Sequence, residues 1–204
     1  MKVQYWFLAI LSVMNVSCQD VGIHPGVAEE GPIFPLKVGN TWNYAVILYD
    51  STGMEIQRWN EQRSVTADTV IDGEKWYYVP DVLSYLTSRP DGLWQRIPVS
   101  PYLSSSPGLQ DPQLFLPFPI TVGSSVIARH NETYTLVDDD VEVVVPAGTF
   151  SCYEYRVAQL HSNEELHHFY APGVGLIRMT WSFPQGSGAF FQSGERSLVK
   201  TKFR

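Results

Sequence analysis

The chain has 204 residues and a formal charge of −7, long enough for one hydrophobic core without disulfide or metal staples. A surface of that sign repels phosphate backbones and anionic headgroups, which argues against nucleic-acid binding and polybasic membrane docking. The 10 Phe, 11 Tyr and 6 Trp, together with 15 Gly and 14 Pro, favour short strands and tight turns over long helices, so composition predicts an all-β body.

In chain order, Lys2 precedes an apolar run from Val3 to Met14 broken only by Gln4 and Ser12, the pattern of a secretory signal peptide over residues 1–17. At about 1.5 Å per helical residue the run falls well short of the roughly 30 Å of hydrocarbon that a spanning helix must cross. The next residues, Asn15-Val16-Ser17-Cys18, resemble the lipobox of bacterial lipoproteins, in which a small residue precedes a cysteine that is lipidated and becomes the mature N-terminus. Asn15 departs from that pattern, which has Leu there. The resemblance implies acyl chains such as palmitate on Cys18 and attachment to a membrane of the bacterial cell envelope; the alternative is ordinary secretion of a soluble or periplasmic protein cleaved at or near Cys18. Residues 19–33, with two Pro, three Gly and three acids, have no burying periodicity, so 18–33 is expected to be a flexible tether and 34–204 a single β domain. An acylated Cys18 leaves Cys152 without a disulfide partner, and Cys152 is expected to be a small packed strand residue.

Trp42, Tyr44, Val46 and Leu48 alternate as one face of a strand. Asp50-Ser51-Thr52-Gly53 supplies a turn after which 54–70 returns antiparallel. Asp72-Gly73 suits a tight hairpin into an aromatic strand at Lys75–Val79, and Arg89-Pro90-Asp91-Gly92 turns into Leu93–Ile97. Residues 98–119 carry six prolines, which predicts a long irregular segment because each Pro removes a backbone donor. Further strands are expected near 125–136, 141–145, 150–160, 166–170, 176–183 and 197–203, with Asp138-Asp139-Asp140 as a solvated hairpin turn rather than a calcium loop.

Pro35-Leu36-Lys37-Val38-Gly39-Asn40-Thr41 recurs 84 residues later as Pro119-Ile120-Thr121-Val122-Gly123-Ser124-Ser125, and later turn signals recur in the same order. The sequence therefore predicts two related β-meander halves joined by the Pro-rich segment, forming a curved antiparallel sheet, a half-barrel or open barrel. Phe34-Pro35-Leu36-Lys37-Val38-Gly39-Asn40-Thr41-Trp42, Val145-Pro146-Ala147-Gly148-Thr149-Phe150 and Tyr170-Ala171-Pro172-Gly173-Val174-Gly175-Leu176-Ile177 together resemble bacterial secreted lipoproteins of uncharacterised function, and more remotely the half-barrels of periplasmic lipoprotein carriers. The resemblance covers about residues 34–180 and implies an envelope location and a fold, with no catalytic residues to carry over. Gly39, Gly73, Gly92, Gly148, Gly173 and Gly175 read as structural turns.

No nucleophile elbow or phosphate loop is present in the sequence, and no cofactor is expected. His161, Glu164, Glu165, His167 and His168 include zinc-ligand types, but on a strand His167 and His168 point to opposite faces, so no metal site is assigned. Large apolar residues in the Pro-rich segment, with Tyr102, Leu114, Phe115 and Phe118 as ligand-binding candidates, must cover or bind something. Three functions are compatible with this pattern: a non-catalytic module holding an apolar small molecule on an aromatic concave face, a solid-core structural or protein-interaction module of the envelope, and, third, a metal-dependent hydrolase in which the histidines converge with carboxylates.

Overall fold

The computed structural model describes residues 31–98, 108–159, 162–184 and 190–204. The signal peptide, Cys18, most of the tether, Tyr102 and His161 lie outside the described residues. The rest is all-β, built from β1 (Thr41–Tyr49), β2 (Glu55–Ser64), β3 (Ala67–Ile71), β4 (Glu74–Val79), β5 (Ser84–Arg89), β6 (Gly92–Arg96), β7 (Gln113–Pro117), β8 (Ser125–Ile127), β9 (Thr133–Val145), β10 (Gly148–Ala158), β11 (Glu165–Ala171), β12 (Gly175–Pro184) and β13 (Phe190–Lys202). Single 3-10 turns at Pro80–Val82 and Arg129–Asn131 complete it.

All strand pairing is antiparallel, in two sheets. One has eight strands in the order β2-β1-β13-β12-β11-β10-β9-β8, the other five in the order β3-β4-β5-β6-β7. Neither closes on itself. Register shifts that leave extra residues in β2, β9, β12 and β13 add the local twist that bulges impose and curve the larger sheet. The two-meander expectation is visible in this order: β8 to β13 run consecutively, and β1 to β7 run consecutively except that the chain changes sheet between β2 and β3. The first hairpin then joins the second half through β1–β13 pairing, Tyr44 opposite Leu198 and Val46 opposite Arg196.

One hydrophobic cluster joins the facing sides of both sheets, with Tyr44, Tyr134, Leu136, Tyr155, Tyr170 and Leu198 from the larger and Val79, Leu86, Leu93 and Leu116 from the smaller. At about 25 cal/mol per Å² of apolar surface removed from water, burial on this scale is the main stabilising term. The sequence motifs meet at one end of this core. Trp42 Nε1 donates to the Val174 carbonyl at 2.7 Å and Tyr44 Oη to that of Leu176 at 3.1 Å; Gly173 N donates to the Pro32 carbonyl at 3.0 Å and Ala147 N to that of Leu198 at 3.2 Å. Ile33 and Phe34 are buried beside them. All six anticipated turn glycines have positive φ.

Four expectations need correction. Residues 54–70 are two strands in different sheets, separated at the buried Val65. The span 125–136 is the short β8, a 3-10 turn and the start of β9, which continues to Val145. Asp138-Asp139-Asp140 is not a hairpin turn but an exposed, irregular stretch inside β9, where Asp140 N donates to Asp138 Oδ1 and Ser151 Oγ to Asp140 Oδ1. The Pro-rich segment is not wholly irregular: Gln113–Leu116 is free of proline and pairs with β6 as a sheet edge, where Pro117 can lack an N–H at little cost. A register shift opposite Leu93/Trp94 lets Phe115 and Leu116 both turn inward.

Cys152 is fully buried in β10, its Sγ 3.7 Å from the Phe150 carbonyl, and burial pushes its thiol up to about 12. A thiol held protonated in this way is inert.

Candidate functional site

Residues paired across antiparallel strands point to the same face, so register alone assembles the inner surface of the larger sheet. One rung runs Leu136, Tyr155, His168, Met179, Arg196, Val46, Trp59 across β9, β10, β11, β12, β13, β1 and β2. Leu136, Tyr155 and Val46 are buried, while His168, Met179, Arg196 and Trp59 keep partial access to solvent. The next rung places Trp181 opposite Gly194, and the indole lies so close over that glycine that a Cβ there would collide with it. The accessible strip of this face is therefore aromatic and thioether surface interrupted by charge.

That charge is organised. Arg196 Nη2 bonds Glu61 Oε2 at 2.7 Å, and Trp59 Nε1 donates to Glu61 Oε1 at 2.9 Å. Arg63, opposite Trp42 in β2, has its guanidinium 5.8 Å from the centre of the Tyr44 ring. Tyr44, Glu61, Gln62, Arg63, Asp81 and Arg196 line a cleft of about 410 Å³. The Asp81 carboxylate accepts the Ser64 N–H at 3.1 Å. Burial, with the charge of Arg63 opposing it, pushes the Tyr44 hydroxyl well above its ordinary value. A second hollow of about 320 Å³ lies between Pro32, Phe34 and Leu36 and the smaller sheet at Glu74, Tyr77 and Thr87.

Between the sheets Arg129 donates to Gln95 Oε1 at 3.1 Å, lies 3.7 Å from Glu132 and covers the Phe115 ring at 4.2 Å. His168 packs edge-on against Tyr134 and Tyr170 at 6.0 and 6.1 Å. Desolvation, then the charges of Arg196, Arg129 and Arg63, hold it down at about 3, so it is neutral. Its Nδ1 is buried without a hydrogen-bond partner.

The structure separates the histidines as strand geometry requires. His167 faces outward, with Nδ1 2.7 Å from Glu154 and Nε2 3.3 Å from Glu165, while His168 faces the core. Among the described residues no three His, Cys, Asp or Glu side chains converge on a point that would hold a metal. Of the anticipated ligand-binding residues, Phe115 is part of the core cluster and Leu114 is half-buried opposite Trp94. Phe118 stacks edge-to-face on Tyr153 at 5.1 Å. None of the three lines either cleft. Arg63, Glu61 and Arg196 were invisible as site residues in the sequence; the available signal was a charged residue at the core-facing parity of a strand, Arg196 two positions before the buried Leu198.

The sequence matches no protein-family model and no curated protein. Two solved structures are similar. A candidate lipoprotein from Parabacteroides distasonis aligns with TM-score 0.42 and 16% identity over 84% of this chain and 99% of that one. A candidate exported protein with a YmcC-like fold from Bacteroides fragilis aligns with TM-score 0.44 and 12% identity over 83% of this chain and 98% of that one.

Proposed function

We propose that this chain is a non-catalytic binding module of the bacterial cell envelope, tethered to a membrane through lipid on Cys18, and that it takes a small molecule on the inner face of its eight-stranded sheet. The observation that carries the binding reading is the cleft beside β1, β2 and β13, where Arg63 and Arg196 meet Tyr44 on the face whose accessible strip carries Trp59, Met179 and Trp181. Concave sites with mostly apolar walls and a few placed polar groups are the common form of small-molecule pocket. Arginines on the floor disfavour a purely hydrocarbon ligand, which would strip water from them without replacing its hydrogen bonds. The ligand is therefore amphipathic.

The tether rests on Ser17-Cys18 and the unpatterned residues after it. Two or more acyl chains, at about 0.8 kcal/mol per buried methylene, hold a protein on a membrane durably. The test is expression in a bacterial host with a labelled fatty acid, then native mass spectrometry of the purified chain. Label in the wild type but not in Cys18→Ala, and a co-purifying small mass, are the expected results. Label retained in the variant overturns the anchor; a preparation with no bound mass under conditions that retain weak ligands overturns the small-molecule reading. In that event the solid-core protein-interaction module becomes the better description, because Phe115 and Leu116 fill the space between the sheets and Met54 and Ile56 lie exposed at and before the edge strand β2.

A further inference from the structure

Three guanidiniums act on the inner face, those of Arg63, Arg129 and Arg196. Arg196 is compensated by Glu61 and Arg129 by Glu132. Arg63 is half-buried, and its only described interaction is with the Tyr44 ring. Arg196 Nε, Arg129 Nε and His168 Nδ1 are buried without partners. Buried donors left unmatched are uncommon because each forfeits its bonds to water; of these three residues Arg196 lines the cleft, while Arg129 and His168 lie outside its lining. Asp81 is the second carboxylate of the lining, beside Glu61; it is exposed and turned to the Ser64 N–H. The four charges that line the cleft balance, but Arg196 is held by Glu61 and Asp81 accepts the Ser64 N–H, so Arg63 is the lining guanidinium without a carboxylate partner among the described residues.

We infer that the cleft binds the carboxylate head of an anionic amphiphile, with Arg63 as its principal contact, Arg196 beside it, and the apolar tail running over Met179 and Trp181. A planar guanidinium offers paired N–H donors that match a carboxylate, a fit that a diffuse positive potential lacks. Val46, Arg196 and Met179 share one rung, and Trp181 is two residues along β12 on the same face, so the apolar strip starts at the charged site. His168, two strands from Arg196 and about 9–10 Å away at ordinary strand spacing, is a neutral lining group of that strip and adds no charge. This inference rests on the binding-module reading and narrows it.

The experiment titrates the full chain in a nonionic detergent with dodecanoate labelled with carbon-13 at the carboxyl, reading the carboxyl resonance. That signal separates a head group held by the protein from one in the detergent pool. A bound signal is expected in the wild type. Hydrogen bonds to charged groups are each worth about 1.5–3 kcal/mol, so Arg63→Gln should weaken it by at least about tenfold. Asp81→Asn removes the opposing charge and should strengthen it. Arg58→Gln, which breaks only the exposed pair with Glu55 at 2.6 Å, should change nothing. The methyl ester should fail to compete, as should acetate. Binding unchanged in Arg63→Gln, or equal competition by the ester, overturns the carboxylate site while leaving a binding module; equal competition by acetate overturns the tail. Absence of any bound carboxyl signal overturns the inference outright, and a co-purified mass in native spectra then decides separately whether the module binds something neutral.

Discussion

Gly175→Ala is the sharpest test of how the motifs hold the fold. Gly175 opens β12 with φ +98°, and a Cβ built there would stand 2.5 Å from Phe34 Cδ2 and 2.7 Å from Cε2. The Phe34 ring cannot retreat freely, because it is buried and stacks on Trp42 at 4.4 Å, and Trp42 is itself fixed through its bond to Val174. The left-handed backbone costs a non-glycine residue about 1–3 kcal/mol. Forcing an extra carbon into a packed core costs about 1–3 kcal/mol more. The substitution should therefore destabilise by about 2–6 kcal/mol, a fall of at least about 5 °C in Tm for a body of this size. Urea unfolding of the wild type, Gly175→Ala, Phe34→Ala and the double variant separates the two contributions. Once the ring is gone the clash term vanishes, so the double variant should be less destabilised than the two single effects added, by about 1–3 kcal/mol. A cost below about 0.5 kcal/mol for Gly175→Ala, or strict additivity, would refute the packing argument.

The same geometry sets two further expectations. His168 is held neutral at about 3 in the fold against about 6.5 when unfolded, so between those values the unfolded chain binds a proton that the folded chain does not. Stability should accordingly fall as pH drops through that window, by at most about 2 kcal/mol between pH 7.5 and 5, where most carboxylates have yet to titrate. Unfolding free energies of the wild type and His168→Gln across pH 5–7.5 check it; parallel curves would refute it. At Gly92, with φ +143°, a Cβ would run into the Leu116 carbonyl and lie 3.0 Å from Phe118 N, so Gly92→Ala should detach β7 from β6. Amide exchange at Phe118, whose N–H bonds the Asp91 carbonyl at 3.1 Å, should rise well before global unfolding, and unchanged protection there would count against the assignment.

Much of this fold was legible because alternation and turn chemistry agreed locally. Trp42 to Leu48 alternate inside β1, Asp72-Gly73 closes β3 on β4, and Pro90-Asp91-Gly92 closes β5 on β6. Legibility failed where a strand lacked an apolar face. Glu55–Ser64 is almost wholly polar, because β2 is an edge that water covers on one side, so nothing in it announced that the chain leaves its sheet at Val65. β7 was concealed by the prolines around it, although an edge strand needs only half of its ladder bonds. The candidate site was concealed for a related reason. Arg63 and Arg196 read as solvated surface, and the cross-strand register, which sets Arg63 opposite Trp42 and Arg196 opposite Val46, shows that they stand at core-facing positions.

The internal echo accounts for where the cleft lies. In the first copy Gly39 N donates to the Val65 carbonyl at 2.8 Å, Asn40 N to that of Lys37 at 3.0 Å, and Val65 N to that of Asn40 at 3.0 Å. In the second, Gly123 N donates to the Leu136 carbonyl at 2.8 Å, Ser124 N to that of Thr121 at 2.9 Å, and Leu136 N to that of Ser124 at 3.1 Å. The same three bonds tie the related segments to one buried apolar residue in each half, Val65 or Leu136. Beyond that residue the two halves part. After Val65 the chain crosses to the smaller sheet, whereas after Leu136 it continues in β9 and absorbs the bend in register shifts against β10. A strand that continues keeps its ladder; a strand that breaks leaves its last residues at a seam. In the first half those residues are Glu61, Gln62 and Arg63, next to Asp81 of the 3-10 turn, and they line the larger of the two described clefts. In the second half Arg129, from the 3-10 turn before β9, instead donates to Gln95 of the smaller sheet. The two halves share a turn and diverge at one crossing, and the divergence is what opens the charged site on one side.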